Sequence, residues 1–347
     1  MDTILFRPQC RAMLIGSFPF MDPGPTVELI LDHTPDYPVW PQLPLHGEEA
    51  MITQYLKGYP GLEMTPDKVW VDTVGSGDAQ LAFLHTLLDG DLAPFALGAD
   101  TARGVGALKA ALEKREDRPL AVKGQVVGPF TQATALADAR GRALYFDPQQ
   151  REMITELMAL RAAWQVDYFK DVSQGPVVVF IDEPGLAGFG SSAFIGVSRE
   201  DVLHDLSRVI FAIHDQGGIA GIHVCGNTDW GMVMASGVDV VNFDAFAYFD
   251  KFFLYAREIV AFMEAGGCLA WGMVPTDSSE NLAAATLDDL EKAFWDHVDA
   301  LCGQGLDRER VLAQSAITPA CGMGSRTPEE AMTILALTRG LSERLQV

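Results

Sequence analysis

Val177-Val-Val-Phe-Ile-Asp-Glu-Pro184 is an unbroken β-branched, apolar run that closes on two acids and a proline. A strand wetted on one face alternates apolar with polar residues. An unbroken run is what a strand buried on both faces needs, and that points to a parallel sheet covered by helices. Working outward, the same kind of segment recurs at residues 11 to 19 (RAMLIGSFP), 68 to 74 (KVWVDTV), 121 to 129 (AVKGQVVGP), 218 to 225 (GIAGIHVC), 238 to 244 (VDVVNFD), 267 to 274 (GCLAWGMV) and 311 to 318 (VLAQSAIT). Helical spacing fills the gaps. Residues 148 to 174 carry Met153, Leu157, Leu160, Trp164 and Phe169 on one face, and 286 to 301 carry Leu287, Leu290, Phe294, Val298 and Leu301. Ser198 followed by Glu200 and Asp201 marks a helix start, with acids in the first turn. About eight strands alternating with helices predict an α/β fold, a (β/α)8 TIM barrel, as one domain over residues 1–347. Pro-rich loops obscure the pattern between residues 20 and 110, and a doubly wound sheet is the alternative topology.

Bulk composition narrows the function classes. With 48% hydrophobic and 21% charged residues, the chain has an ordinary globular balance and ample core. No apolar run approaches the ~18 residues of a membrane span, and no secretory signal pattern opens the chain. A formal net charge of −22 argues against nucleic acid and anionic membranes as partners, since both reward basic patches. Cysteines 10, 225, 268, 302 and 321 are odd in number and widely spaced, unlike a disulfide framework. A reducing, cytoplasmic setting is expected.

In a barrel of this kind the chemistry lies at the C-terminal ends of the strands. Ser17, Asp182 and Glu183, His223, Cys225, Asp244 and Cys321 all fall at such ends. His223 and Cys225 are two apart on an apolar run that stops at glycine, so their side chains leave the same face together. Cys321 sits in a matching Pro/Gly turn after the last strand. One nitrogen and two sulfurs converging there suit zinc, which takes N/S ligands tetrahedrally and can keep one position exchangeable. An isolated His-x-Cys is more often a core histidine beside a buried thiol; here the strand-end context favours the metal.

The order of motifs resembles the catalytic barrel of cobalamin-independent methionine synthase, in the superfamily that also holds uroporphyrinogen decarboxylase and methylcobalamin:coenzyme M methyltransferases. The matching residues are Ile15-Gly-Ser-Phe-Pro19, Leu45-His-Gly-Glu48, Val122-Lys-Gly with Gly128-Pro129, Ile181-Asp-Glu-Pro184, His223-Val-Cys225 and Pro319-Ala-Cys-Gly322. The resemblance implies a zinc-dependent thiol methyltransferase without the synthases' extra N-terminal barrel. It assigns zinc to His223, Cys225 and Cys321, with Asp244 as the fourth ligand where the family usually has glutamate. Homocysteine would lie between Gly16-Ser17, which meet its carboxylate, and Glu48 and Asp182, which meet its ammonium.

Three departures from the synthases bear on the methyl donor. The stretch Trp271-Gly-Met-Val-Pro-Thr276 lacks their proton-shuttle histidine, and Phe130-Thr-Gln-Ala-Thr-Ala-Leu136 lacks their folate-stacking tryptophan. The His223-to-Thr228 and Cys321-to-Pro328 stretches look closer to the coenzyme M enzymes. A methylated corrinoid, carried on a separate protein, is therefore the expected donor. Methylation of coenzyme M or another thiol is one alternative. A metal-free decarboxylase of the uroporphyrinogen type is another, but the arginines before residue 100 are Arg7 and Arg11 alone, few for a polycarboxylate.

Overall fold

The computed structural model describes residues 6–65 and 68–346. Its centre is a parallel sheet of seven strands: β1 (Arg11–Ala12), β4 (Lys123–Val127), β5 (Val178–Asp182), β6 (Ile219–Val224), β7 (Val240–Phe243), β8 (Cys268–Val274) and β9 (Ser315–Pro319). The remaining two, β2 (Leu62–Thr65) and β3 (Lys68–Val71), form a separate antiparallel hairpin. The sheet runs in the order β1-β9-β8-β7-β6-β5-β4 with every pairing parallel. Its two edges meet across an extended stretch at residues 38–42. Gln42 N–H donates to the Gly16 carbonyl at 2.8 Å and Phe18 N–H to the Gln42 carbonyl at 2.9 Å; on the other side Lys123 N–H donates to the Pro38 carbonyl at 2.8 Å. Parallel bridges Ser17–Gln42 and Val39–Lys123 confirm the register, so this stretch takes the eighth place and closes the curled sheet into a barrel.

Helices cover the outside. They are α1 (Pro23–His33), α2 (Gly77–Leu88), α3 (Arg103–Leu112), α4 (Pro129–Ala135), α5 (Pro148–Phe169), α6 (Arg199–Asp215), α7 (Trp230–Ala235), α8 (Ala245–Phe252), α9 (Ala256–Glu264), α10 (Ser279–Ala284), α11 (Leu287–Cys302), α12 (Arg308–Ala313) and α13 (Pro328–Leu345). Their starts are chemically marked. Asp147 accepts from Gln149 N–H and Gln150 N–H ahead of Pro148 in α5, and Ser198 accepts from Asp201 N–H in α6. Thr327 and Glu330 cap α13 reciprocally. No helix among the described residues is long and apolar enough to cross a membrane.

Two strand expectations need correction. Residues 68 to 74 are not the second barrel strand; residues 68–71 belong to the hairpin outside the barrel, and the true second strand is the Pro-flanked stretch at 38–42. Pro38 and Pro41 have no N–H to give and break the apolar run, which is why periodicity missed it. The last strand begins at Ser315 rather than Val311, because residues 308–313 form α12.

Alternation along the strands sorts two cores. Val179, Ile181, Ile222, Val241 and Ile317 face the helices. Val178, Phe180, Ile219, Val240, Cys268 and Ala316 pack inside the barrel with Phe6, Met13 and Tyr37. Gly221 leaves room for the Phe180 ring, since a Cβ there would lie 2.1 Å from a ring carbon. Two residues further along the same inward face, Phe180 gives way to Asp182 and Gly221 to His223. The interior thus passes from apolar packing to a polar mouth.

The long excursion between the second strand and α3 is tied to α5 by Gln149, Gln150 and, with the most bonds, Arg161. Arg161 is buried and donates to the carbonyls of Tyr55, Lys57, Phe95 and Ala96 at 3.3, 2.7, 2.8 and 2.9 Å. Arg161→Met keeps much of the side-chain bulk but orphans these acceptors. It is expected to cost about 3–5 kcal/mol of stability by denaturant unfolding. A change under about 1 kcal/mol would mean that the excursion holds itself.

Candidate metal centre and cavity

His223, Cys225 and Cys321 come together at the mouth, with their ligand atoms all within 4.8 Å of one another. His223 is the fifth residue of β6, Cys225 lies just past its end, and Cys321 follows β9 by two residues. The His223 Nε2 faces the Cys321 sulfur at 3.5 Å. Its other nitrogen is fixed by an amide that the sequence reading missed. Asn242 Nδ2 donates to the Ala270 carbonyl and the Thr318 hydroxyl, both at 2.8 Å, which turns its Oδ1 to the imidazole Nδ1. An oxygen there requires Nδ1 to carry the hydrogen, leaving the Nε2 lone pair for the thiols. Burial pushes His223 down to about 4, so the ring is neutral. The hydrogen bond from Cys321 lowers Cys225 to about 7, against its own burial. The same hydrogen bond raises Cys321, so the two thiols share a proton that zinc binding would release, while the neutral imidazole already offers a free lone pair.

Asp244 is beside this cluster but not in it. Its carboxylate accepts from Ala247 N–H at 2.8 Å as the N-cap of α8, and burial raises it to about 6. The described residues therefore present three donors, and a tetrahedral metal held by them would have a fourth position open.

A cavity of about 540 Å³ opens over the cluster. Ser17, Gln42, Asp182, His223, Cys225 and Cys321 are among its walls; Gly16 and Glu48 are not. Gly16 works behind the wall: its φ is +152°, and a Cβ there would press on the Gln125 amide at 2.9 Å. Ser17 stitches two loops together, its carbonyl accepting from Met323 N–H at 2.9 Å and its hydroxyl oxygen from Gly324 N–H at 3.3 Å. The hydroxyl hydrogen is left to donate.

Glu48 is exposed and pairs with Arg103 at 3.7 Å. The neighbouring Glu49 is the one that faces the cavity, but its oxygens are already taken. Oε2 accepts from Leu43 N–H at 2.9 Å, and Oε1 from Arg103 N–H and Nη1 at 3.0 Å each. The two acids at the end of β5 diverge in the same way. Glu183 turns outward to cap α4, accepting from Phe130 N–H, Thr131 N–H and the Thr131 hydroxyl. Asp182 turns inward, and its buried Oδ1 has no hydrogen-bond partner. Burial raises Asp182 to about 7, with the Lys123 ammonium opposing the rise. Asp182 itself lines the cavity, so its carboxyl group can meet an incoming donor there.

Fold and cluster together define a parallel α/β barrel with a three-donor, metal-competent constellation in its mouth. No protein-family model matches the sequence, and no curated protein matches it. Among solved structures, a B12-independent methionine synthase from Shewanella sp. W3-18-1 aligns at 13% identity and a TM-score of 0.46, over 70% of this chain and 66% of that one. A methyltransferase from Methanosarcina mazei aligns at 15% identity and a TM-score of 0.48, over 98% of this chain and 94% of that one.

Proposed function

We propose that the protein methylates a small thiol, with homocysteine as acceptor and a methylated corrinoid as donor. The observation that carries this reading is a pair of features in one cavity: the His223/Cys225/Cys321 donors and the Asp182 carboxyl group on its wall. Zinc held by His223, Cys225 and Cys321 would keep an acceptor thiol in its nucleophilic, deprotonated form at neutral pH. The chain's own residues then do the sorting. Asp182 offers its carboxylate to an ammonium group, and the Ser17 hydroxyl offers a hydrogen to a carboxylate. An α-amino acid carrying a thiol satisfies both; a simple thiol such as coenzyme M leaves Asp182 buried and unpaired, at a cost. In the reaction the acceptor S–C bond forms as the donor's bond to the methyl carbon breaks, and the electron pair stays with the donor.

The donor assignment rests on what the cavity wall lacks. No Phe, Tyr or Trp is among its lining residues. Phe130 on α4 is buried against Tyr145 and Phe194 instead. A pterin gains from a stacking platform, whereas a corrinoid methyl group needs only access to the thiol. A corrin ring is too wide to be enclosed with the acceptor in about 540 Å³, so it would lie across the mouth, delivered by a carrier protein. Exposed Met21, Leu45 and Ile195, on loops that follow strand ends, offer apolar surface for such docking. A reducing, cytoplasmic setting belongs to this reading, since it depends on free thiols.

The test is single-turnover methyl transfer to homocysteine with zinc-loaded protein, comparing methylcobalamin or a methylated corrinoid protein with methyltetrahydrofolate. Faster transfer from the corrinoid is expected. Faster transfer from the folate would overturn the donor assignment, and no transfer from either would overturn the function.

A further inference from the structure

Lys123 opens β4 and is the largest charged side chain buried inside the barrel, with 1% of its surface exposed. Neither the metal cluster nor the cavity wall includes it. Its Nζ donates to the Ile15 carbonyl at 2.6 Å and lies 4.3 Å over the Phe180 ring. One hydrogen bond and a ring face are meagre company for a desolvated ammonium. A methionine of similar volume would pack there at less cost, so the cation needs a reason. Two features lie within its reach. The carbonyl it holds is the one that leads into Gly16 and Ser17, the latter on the cavity wall. Asp182 is two residues beyond Phe180 on the same inward face of β5, so its carboxyl group and the ammonium over that ring share one low-dielectric interior.

We propose that Lys123 is a positioning residue which, from beneath the cavity, fixes the Ile15–Ser17 turn and supplies the positive charge against which the Asp182 carboxylate is held ready for a ligand's ammonium group. The ligand half of this inference rests on the amino-thiol reading of the cavity; the charge coupling it assigns to Lys123 and Asp182 does not. Removing the cation leaves an uncompensated carboxylate in the interior, and neutralising Asp182 relieves that defect.

The experiment uses zinc-loaded protein with Lys123→Met, Asp182→Asn and the double variant. Urea unfolding gives the coupling between the two positions: the double variant is expected to be more stable than Lys123→Met alone. Should Lys123→Met fail to fold, the double variant should fold, and failure of both would overturn the pairing. Additive losses would overturn it too. Calorimetry then compares homocysteine with 4-mercaptobutanoate, the same thiol acid without the amino group. Lys123→Met is expected to weaken homocysteine about tenfold more than the analogue, whereas a merely structural lysine would weaken both equally. Equal losses would overturn the positioning role. If the unsubstituted protein binds neither thiol, the amino-thiol reading falls, and the pairing still stands or falls on the unfolding cycle.

Discussion

Zinc in the Cys225→Ser/Cys321→Ser variant is expected to fall from about one ion per chain to background, and thiol methylation with it. Two of the three converging donors are then hydroxyls, which bind zinc poorly at neutral pH, and a single imidazole is left. The fold should survive. Both cysteines lie past strand ends, in positions that are only partly buried, and neither belongs to the apolar cores. Metal analysis beside circular dichroism checks both halves. Stoichiometric zinc in the double variant would rule the site out. Asp244→Ala makes the contrast, because that carboxylate caps α8. It should keep its zinc and lose about 1 kcal/mol of stability, the usual worth of an N-cap.

The second large effect is expected from a residue that touches no ligand in the cavity. Asn242→Leu removes the oxygen that holds the His223 Nδ1 hydrogen, and the ring is then free to turn or to take the other tautomer. Zinc affinity should fall about 10–100-fold, the range seen when a ligand histidine loses its orienting partner. Asn242→Asp keeps an acceptor for Nδ1 but sets its other oxygen against the Ala270 carbonyl, so it should hold zinc better than leucine while losing stability. Competition against a chromophoric chelator measures both variants. Equal losses for leucine and aspartate would mean that bulk at position 242, not the hydrogen bond, matters.

The sequence made the barrel legible wherever strands were continuous and buried on both faces, as in the 177–184 run. It failed at 38–42, where prolines interrupt the apolar signal and the strand is recognisable only from the two edges it joins. His223 and Cys225 could be placed together because side chains two apart on a strand share a face. Their meeting with Cys321 depends on closure of the sheet through β9, β8 and β7, which no local pattern encodes. The choice between Glu48 and Glu49 was equally out of reach: it turns on which carboxylate the backbone N–H groups of Leu43 and Arg103 capture. Asn242 did leave a trace, an amide in the middle of the apolar run VDVVNFD. A buried polar group in a strand needs partners, and that question alone would have led across the barrel to His223 and Thr318.

The central claim is that His223, Cys225 and Cys321 form a zinc site with a place open for an acceptor thiol. Zinc K-edge X-ray absorption on the purified protein, before and after homocysteine is added, tests it most directly. Two sulfurs at about 2.3 Å are expected, with nitrogen or oxygen completing the shell, and one further sulfur at the same distance once homocysteine is present. A shell without two protein sulfurs, or one whose sulfur count does not change with homocysteine, would contradict it.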